Sequence, residues 1–333
     1  MTALPAFDPS DPRWIAHRYE RVRDDVHYRY VPRGEHGGFP FLTDEYVGDH
    51  EATTLGREAS VQATAGGQAP LRLIFHSAFC ASTLLCRAFD RPGLAMGLSE
   101  PAILNDIVGI RRRKEAEPKR IAQLLDEAMR LLARPWGAGE AVVVKPSNIL
   151  NPLAAAMLAL RPEAKAVLLH APLPVFLGSV ARKGMWCRLW ARELLEGLLA
   201  DGVVDLGFAP EDYFRLTDLQ VAAVGWLAQH KLFADVEARF RDRMMRVESE
   251  AMLVSPAEHI ERIGRHFGLT VDAAMAAEIA GGPAFTRHSK FGQAFDAEAR
   301  AAEKVAAEAA HGEEIAKVAE WARAVAMAAG VQL

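Results

Sequence analysis

The stretch most able to do chemistry lies between residues 71 and 90. The apolar run LRLIF passes into His76-Ser77-Ala78-Phe79-Cys80-Ala81-Ser82-Thr83-Leu84 and from there directly into a helical pattern. In such a strand–turn–helix, successive backbone N–H groups point inward and meet the positive end of the helix, which makes an anion cradle. Ala78, Cys80 and Ala81 are small enough to let an anion come close, and Ser82 and Thr83 add hydroxyl donors. The plainer alternative is that Ser82 or Thr83 only caps the helix. The turn contains neither Gly nor Lys, so it is not a Walker A sequence, and an ordinary ATPase or GTPase is not expected.

A cradle of this kind needs a sheet to hold it. Residues 71–75, Ala141–Lys145 and 164–169 read as short apolar strands, with 244–247 a weaker fourth. Between them the pattern is helical: two helices over 102–134 with 111–114 as a basic turn and Pro118 as a start, then 152–160, 173–183, 186–200, and one long helix or a kinked pair over 211–241. A further helix covers 256–268, and 282–296 reads as loop. Residues 297–329 are helical, with Ile315, Val318, Trp321 and Val325 on one stripe. Strands alternating with helices predict an α/β fold, a parallel sheet covered by helices. It carries a helical insertion at about 186–241 and an extended, partly irregular N-terminal leader over 1–68. Residues 69–296 form the main domain, and 297–333 a C-terminal helix. That helix either packs on the domain or pairs with another copy as a homo-oligomer; without sustained heptads, packing on the domain is expected.

The 333 residues are half hydrophobic and a quarter charged, which excludes a disordered or low-complexity chain. A net charge of −4 excludes a general nucleic-acid binder but leaves room for a local anion pocket. Three cysteines with no CxxC pair argue against a disulfide framework and for a reducing compartment. No apolar leader is visible in 1–30, and the most apolar stretch, 149–160, is broken by Asn151 and Pro152; we expect a soluble, cytoplasmic protein with no membrane partner. His259 and His266 lie seven apart around Arg262 and Arg265, a poor metal site, and no GxSxG motif is present.

Several segments, taken in order, resemble the PAPS-dependent sulfotransferase superfamily, in particular its divergent bacterial members. Phe79-Cys80-Ala81-Ser82-Thr83-Leu84-Leu85 resembles that family's [KR]SG[ST]TLL loop, and Ser99-Glu100-Pro101 its SEP-like segment. Val143-Val144-Lys145-Pro146-Ser147-Asn148 resembles the turn after the second strand, and Arg161-Pro162-Glu163-Ala164 the entry to the third. His170-Ala171-Pro172 through Ser179 resembles the RDPxxxxxS segment, Arg246-Val247-Glu248 the RYEDL segment, and Thr286-Arg287-His288-Ser289-Lys290 the C-terminal basic loop. The resemblance covers about 70–292.

The resemblance implies a P-loop-NTPase-like sheet of sulfotransferase type. It implies 3′-phosphoadenosine 5′-phosphosulfate (PAPS) as the donor, no metal, and a small-molecule hydroxyl or amine acceptor. It places Phe79, Cys80, Ala81, Ser82, Thr83 and Leu84 around the 5′-phosphosulfate, and Ser179, Arg287 and Lys290 at cofactor phosphates. This chain departs from the pattern at three points: Phe79 stands for the loop cation, Ala81 for the loop glycine, and His170 or Ala171 for the arginine of RDP. Lys145, at the carboxyl end of its strand, is the candidate replacement cation. His76 and Glu100 are the candidate bases. Trp186, Trp190 and 194–198 have helical spacing and read as core or as an apolar acceptor wall, while His230, near Trp226, reads as packing. The missing cations keep a second reading open, a non-catalytic nucleotide- or partner-binding descendant of this fold. A small-molecule kinase is disfavoured by the absent P-loop lysine.

Overall fold

The computed structural model describes residues 5–286 and 297–331. Its main sheet is built from β4 (Leu71–His76), β5 (Ala95–Ser99), β6 (Ala141–Lys145), β7 (Lys165–His170) and β8 (Met244–Glu248). These follow a second sheet of β1 (Trp14–Glu20), β2 (Asp25–Tyr30) and β3 (Ala52–Gly56). The main sheet has the order β5-β6-β4-β7-β8 and every pair is parallel. LRLIFH, AVVVK and KAVLLH are almost continuously apolar because helices cover both faces. With β4 central, connections run outward to either side of it, and the turn after β4 opens at the middle of the carboxyl edge, where such sheets bind ligands.

The expected α/β class holds, with five parallel strands where four were expected. The fifth, β5, is AMGLS, fully buried, with a glycine in its middle. A Cβ on Gly97 would lie 2.9 Å from the Cys86 carbonyl oxygen, so the glycine lets the helix Ser82–Phe89 press against the strand. The expected helices appear at Ala102–Arg112, Pro118–Leu132, Leu173–Arg182 and Gly184–Ala200. The 211–241 ambiguity resolves into a 3-10 turn, Pro210–Arg215, and one helix, Asp218–Arg239, which opens with the reciprocal Thr217–Gln220 capping pair.

The first 68 residues are more regular than expected. β1, β2 and β3 form an antiparallel sheet laid on the helices 102–112 and 118–132, burying Trp14, Ile15 and Tyr28. Its polar residues are consumed by long-range pairs: Arg18 with Asp106 at 2.6 Å, and Arg57 with Asp24 at 2.8 Å and Glu127 at 2.9 Å. Arg134 is buried beneath this sheet and donates to the carbonyls of Leu131, Asp11 and Trp14; burial draws its pKa down to about 10.

The C-terminal helix Ala297–Ala328 packs on the helices 173–182 and 218–239, and Val318, Ala319, Ala322 and Ala326 are buried. Within 282–296, Pro283–Thr286 is a short helical turn, and 287–296 lie outside the described residues together with Arg287 and Lys290. Among the described residues no helix is long and apolar enough to cross a membrane, and no group of three or more His, Cys, Asp or Glu is placed to hold a metal ion.

Candidate functional site

The turn between β4 and the helix 82–89 is bent by three non-glycine residues in the left-handed region: Ala78 (φ 71°), Phe79 (φ 51°) and Ala81 (φ 58°). Such φ values cost about 1–2 kcal/mol per residue, so the surrounding packing must impose them. The helix cap is Ala81, with no side-chain cap, so neither Ser82 nor Thr83 is spent on capping. Ser82 and Thr83, the first two residues of the helix, line a cavity of about 270 Å³. It is also lined by Phe41, His76, residues 78–81, Glu100, Lys145, Ser147, Asn148, Trp186 and Trp190.

Lys145 ends β6 as a fully buried ammonium and is ion-paired to Glu100. Glu100 itself has φ 48° and donates its backbone N–H to the Lys145 carbonyl at 2.6 Å, so the pairing of β5 with β6 sets the two side chains face to face. The Phe41 ring lies 4.9 Å from Nζ of Lys145. Phe41 arrives from the N-terminal region, where Leu42 donates its N–H to Ser99 O at 2.8 Å, Ala102 donates to Leu42 O at 3.2 Å, and Ser99 Oγ meets Pro40 O at 2.8 Å.

His76 has both ring nitrogens engaged. Nδ1 accepts from the Ala78 N–H at 3.1 Å, which puts the proton on Nε2, 3.1 Å from the Pro146 carbonyl. The candidate base is therefore held as a brace under the turn, with Glu100 at 3.9 Å. A second brace comes from the asparagines after β6. Asn151 donates to His76 O at 2.9 Å and to Gln229 Oε1 at 2.8 Å, Asn148 donates to the same oxygen at 3.4 Å, and Gln229 donates to Gly225 O at 3.2 Å. Ser77 ties the turn to the neighbouring strand, donating its N–H to Leu169 O at 3.1 Å and accepting the Ala171 N–H at 3.3 Å. Burial pushes the Cys80 thiol up to about 11, so this loop cysteine is no thiolate nucleophile at neutral pH.

The turn, Lys145 and Glu100 are thus brought together, and Leu84 lies one step inside the helix, in the core. Ser179 is on the helix 173–182 and is not among the residues lining the cavity. His170 ends β7 with Nδ1 buried and unpartnered; its ring lies 4.8 Å from that of His230, whose Nε2 is likewise buried and unpartnered and which stacks on Trp226 at 3.4 Å. Trp226 closes this cluster by donating to Ala171 O at 3.0 Å. Burial, with Arg246 nearby, draws the His170 pKa to about 4 and that of His230 well below the usual histidine range. Trp190 and Trp186 are cavity wall, and Trp186 is largely exposed.

Phe41, Ser147, Asn148, Asn151 and Gln229 are the site residues that sequence reasoning missed. Two asparagines three apart in the otherwise apolar NILNPL were the available signal, because buried amides in such a run need partners.

No family model matches the sequence, and no curated protein matches it. Solved structures do match. The sulfotransferase domain from the curacin biosynthetic pathway is 12% identical with a TM-score of 0.42, over 67% of this chain and 82% of that one. A sulfotransferase from Mycobacterium avium is 13% identical with a TM-score of 0.44, over 78% and 81%. The sulfotransferase domain of the Synechococcus PCC 7002 olefin synthase is 15% identical with a TM-score of 0.39, over 66% and 80%. This chain is similar to each of them over those spans.

Proposed function

We propose that the chain is a sulfotransferase-like enzyme that moves a sulfuryl group from PAPS to a hydroxyl or amine of a small acceptor. The observation that carries this reading is the cavity itself. A left-handed backbone turn, two hydroxyls not used for capping, a helix N-terminus and a buried lysine converge on one space. That donor set suits a phosphate or sulfate group: N–H and O–H donors surround it and an ammonium lies at its base. PAPS, when bound, supplies the sulfuryl group and a phosphate leaving group. The chain's own residues then have separable parts. The turn and Ser82 and Thr83 orient the anion, and Lys145 holds a positive charge where negative charge builds on the leaving oxygen. Glu100, which unlike His76 keeps contact with solvent, accepts the acceptor's proton. His76, Asn151 and Gln229 act through the turn, holding its shape. Three buried free cysteines fit a reducing cytoplasm.

The test is a melting-temperature titration with PAP, the desulfated product, against AMP and ATP. At about 100 times its Kd, PAP should add about 2.7 kcal/mol, a shift of several degrees. No PAP-selective shift defeats the reading. A second reading, a nucleotide-binding descendant without catalysis, is favoured by the closed Lys145–Glu100 pair, which leaves the cavity floor near neutral. Release of PAP from PAPS, abolished in Lys145→Met, decides for the enzyme. A PAP shift with no such release decides for the binder.

A further inference from the structure

One turn of the helix Asp218–Arg239 holds the cradle from behind. Trp226, Gln229 and His230 stand at i, i+3 and i+4, share one side of that helix, and are all buried. Gln229 reaches the start of the cradle turn through Asn151, which donates to His76 O. Trp226 reaches it by a second route. Its indole N–H is donated to Ala171 O at 3.0 Å, and the N–H of the same Ala171 is donated to Ser77 Oγ at 3.3 Å. Ala171 is the first residue after β7. Leu169, two residues earlier, accepts the Ser77 N–H at 3.1 Å and the Cys80 thiol at 3.5 Å. The end of β7 therefore grips the turn on both sides of Ala78 and Phe79, its two consecutive left-handed residues, and Trp226 pins the end of β7. The indole is steadied in turn by His230, whose ring stacks on it at 3.4 Å with 23° between the planes. A left-handed turn built without glycine keeps its shape only while its neighbours impose it, so these ties set where its donors point.

We propose that Trp226 is a positioning residue of this site: through Ala171 and Ser77 it fixes the angle at which the turn presents its donors to an anion, in parallel with the Gln229–Asn151 route to His76. Two routes from one helical turn make the shape of the cradle depend on how that helix is seated. The inference rests on the reading of the cavity as a PAP and PAPS site.

Calorimetric titration of PAP, with urea unfolding of each protein, tests this in the wild type, Trp226→Phe, Ser77→Ala, Gln229→Leu and the double variants Trp226→Phe/Ser77→Ala and Trp226→Phe/Gln229→Leu. Trp226→Phe keeps a ring for His230 to stack on and removes the N–H; displaced donors should then lower PAP affinity about tenfold. Ser77→Ala breaks the same route further along, so the Trp226→Phe/Ser77→Ala protein should lose no more affinity than the worse of its two single variants. Trp226→Phe and Gln229→Leu lie on separate routes, and their losses should multiply. Val236→Ala, a truncation at a buried position nearer the end of the same helix, is the control: it should lower stability and leave PAP affinity at the wild-type value. A Trp226 with a merely structural role would behave as Val236 does. Wild-type PAP affinity in Trp226→Phe, or losses in Trp226→Phe and Ser77→Ala that multiply in full, overturns this inference alone. Should Trp226→Phe not fold, Ser77→Ala decides: a loss of about tenfold upholds the route and wild-type affinity overturns it. A wild type that shows no affinity for PAP overturns both the inference and the reading it rests on.

Discussion

Removing either partner of the Lys145–Glu100 pair should cost unequal amounts of stability, because the two are buried unequally. The ammonium is 1% exposed and the carboxylate 18% exposed. Among the described residues Glu100 is the hydrogen-bond partner of Nζ, and beyond it the ammonium has only the Phe41 ring. Glu100→Ala leaves a charge stranded in the interior. Breaking a buried pair that way costs about 3–5 kcal/mol, and the adjoining cavity, open to water, puts this case near about 3. Lys145→Met keeps most of the aliphatic volume and leaves a carboxylate that already touches solvent, so the loss should be nearer the value of a half-exposed pair, about 1 kcal/mol. The difference, about 2 kcal/mol, is roughly thirtyfold in the folding equilibrium. Urea unfolding of both variants and of the double variant, followed by tryptophan fluorescence, measures it. In the double variant the stranded charge is gone, so it should be more stable than Glu100→Ala. Lys145→Met proving as costly as Glu100→Ala, or the two losses simply adding, would refute the assignment of a buried lysine held by a half-solvated carboxylate.

Other expectations follow from the same geometry. His170 and His230 have pKa values depressed below the unfolded value of about 6.5, so the unfolded chain takes up protons that the folded chain refuses. Stability should be full above about pH 6.5 and fall toward pH 4, by up to about 1.4 kcal/mol per pH unit for each histidine, and His170→Gln should flatten the curve in that window. Ala81→Gly, at φ 58°, should raise stability by about 0.5–1 kcal/mol in urea unfolding, since relief of strain exceeds the entropy added to the unfolded chain. Gln229→Leu removes the oxygen shared by Asn148 and Asn151; it should cost about 1–3 kcal/mol by thermal unfolding and weaken PAP binding, though Gln229 lies outside the cavity lining.

Much of the parallel sheet was legible because its strands are buried on both faces and therefore read as unbroken apolar runs between helices. β5 escaped for a local reason: AMGLS is short and its central glycine looks like a break until Cys86 is seen behind it. β1 and β2 escaped because Arg18, His17 and Asp25 gave them a loop-like composition, yet Val26 and Tyr28 alternate inward as a half-buried strand requires. The charges that disguised this sheet are satisfied by Asp44, Asp106 and Glu127, partners 26 to 88 residues away for Arg18 and 70 away for Arg57, which no local pattern shows. The site divides the same way. The cradle turn and Lys145 announce themselves by type and by position at strand ends. The Phe41 wall and the Gln229 brace depend on which elements the fold lays side by side.

The seating of Phe41 against Lys145 also bears on the order in which the molecule is made. The aromatic wall leaves the ribosome first, Glu100 some 60 residues later and the lysine over 100 later, so the site closes only across a long loop of chain. Until then the 40–42 segment has no sheet edge to lie on, and its apolar side chains stand open to misassociation. A shortened chain beginning at residue 69 would reproduce that unfinished state permanently, with Ser99 stripped of its hydrogen bonds to Pro40 and Leu42 and Lys145 without the Phe41 ring. The connection between β2 and β3 is in this sense part of the cavity's construction, and excising the α/β core as a separate piece would cut through the site rather than around it.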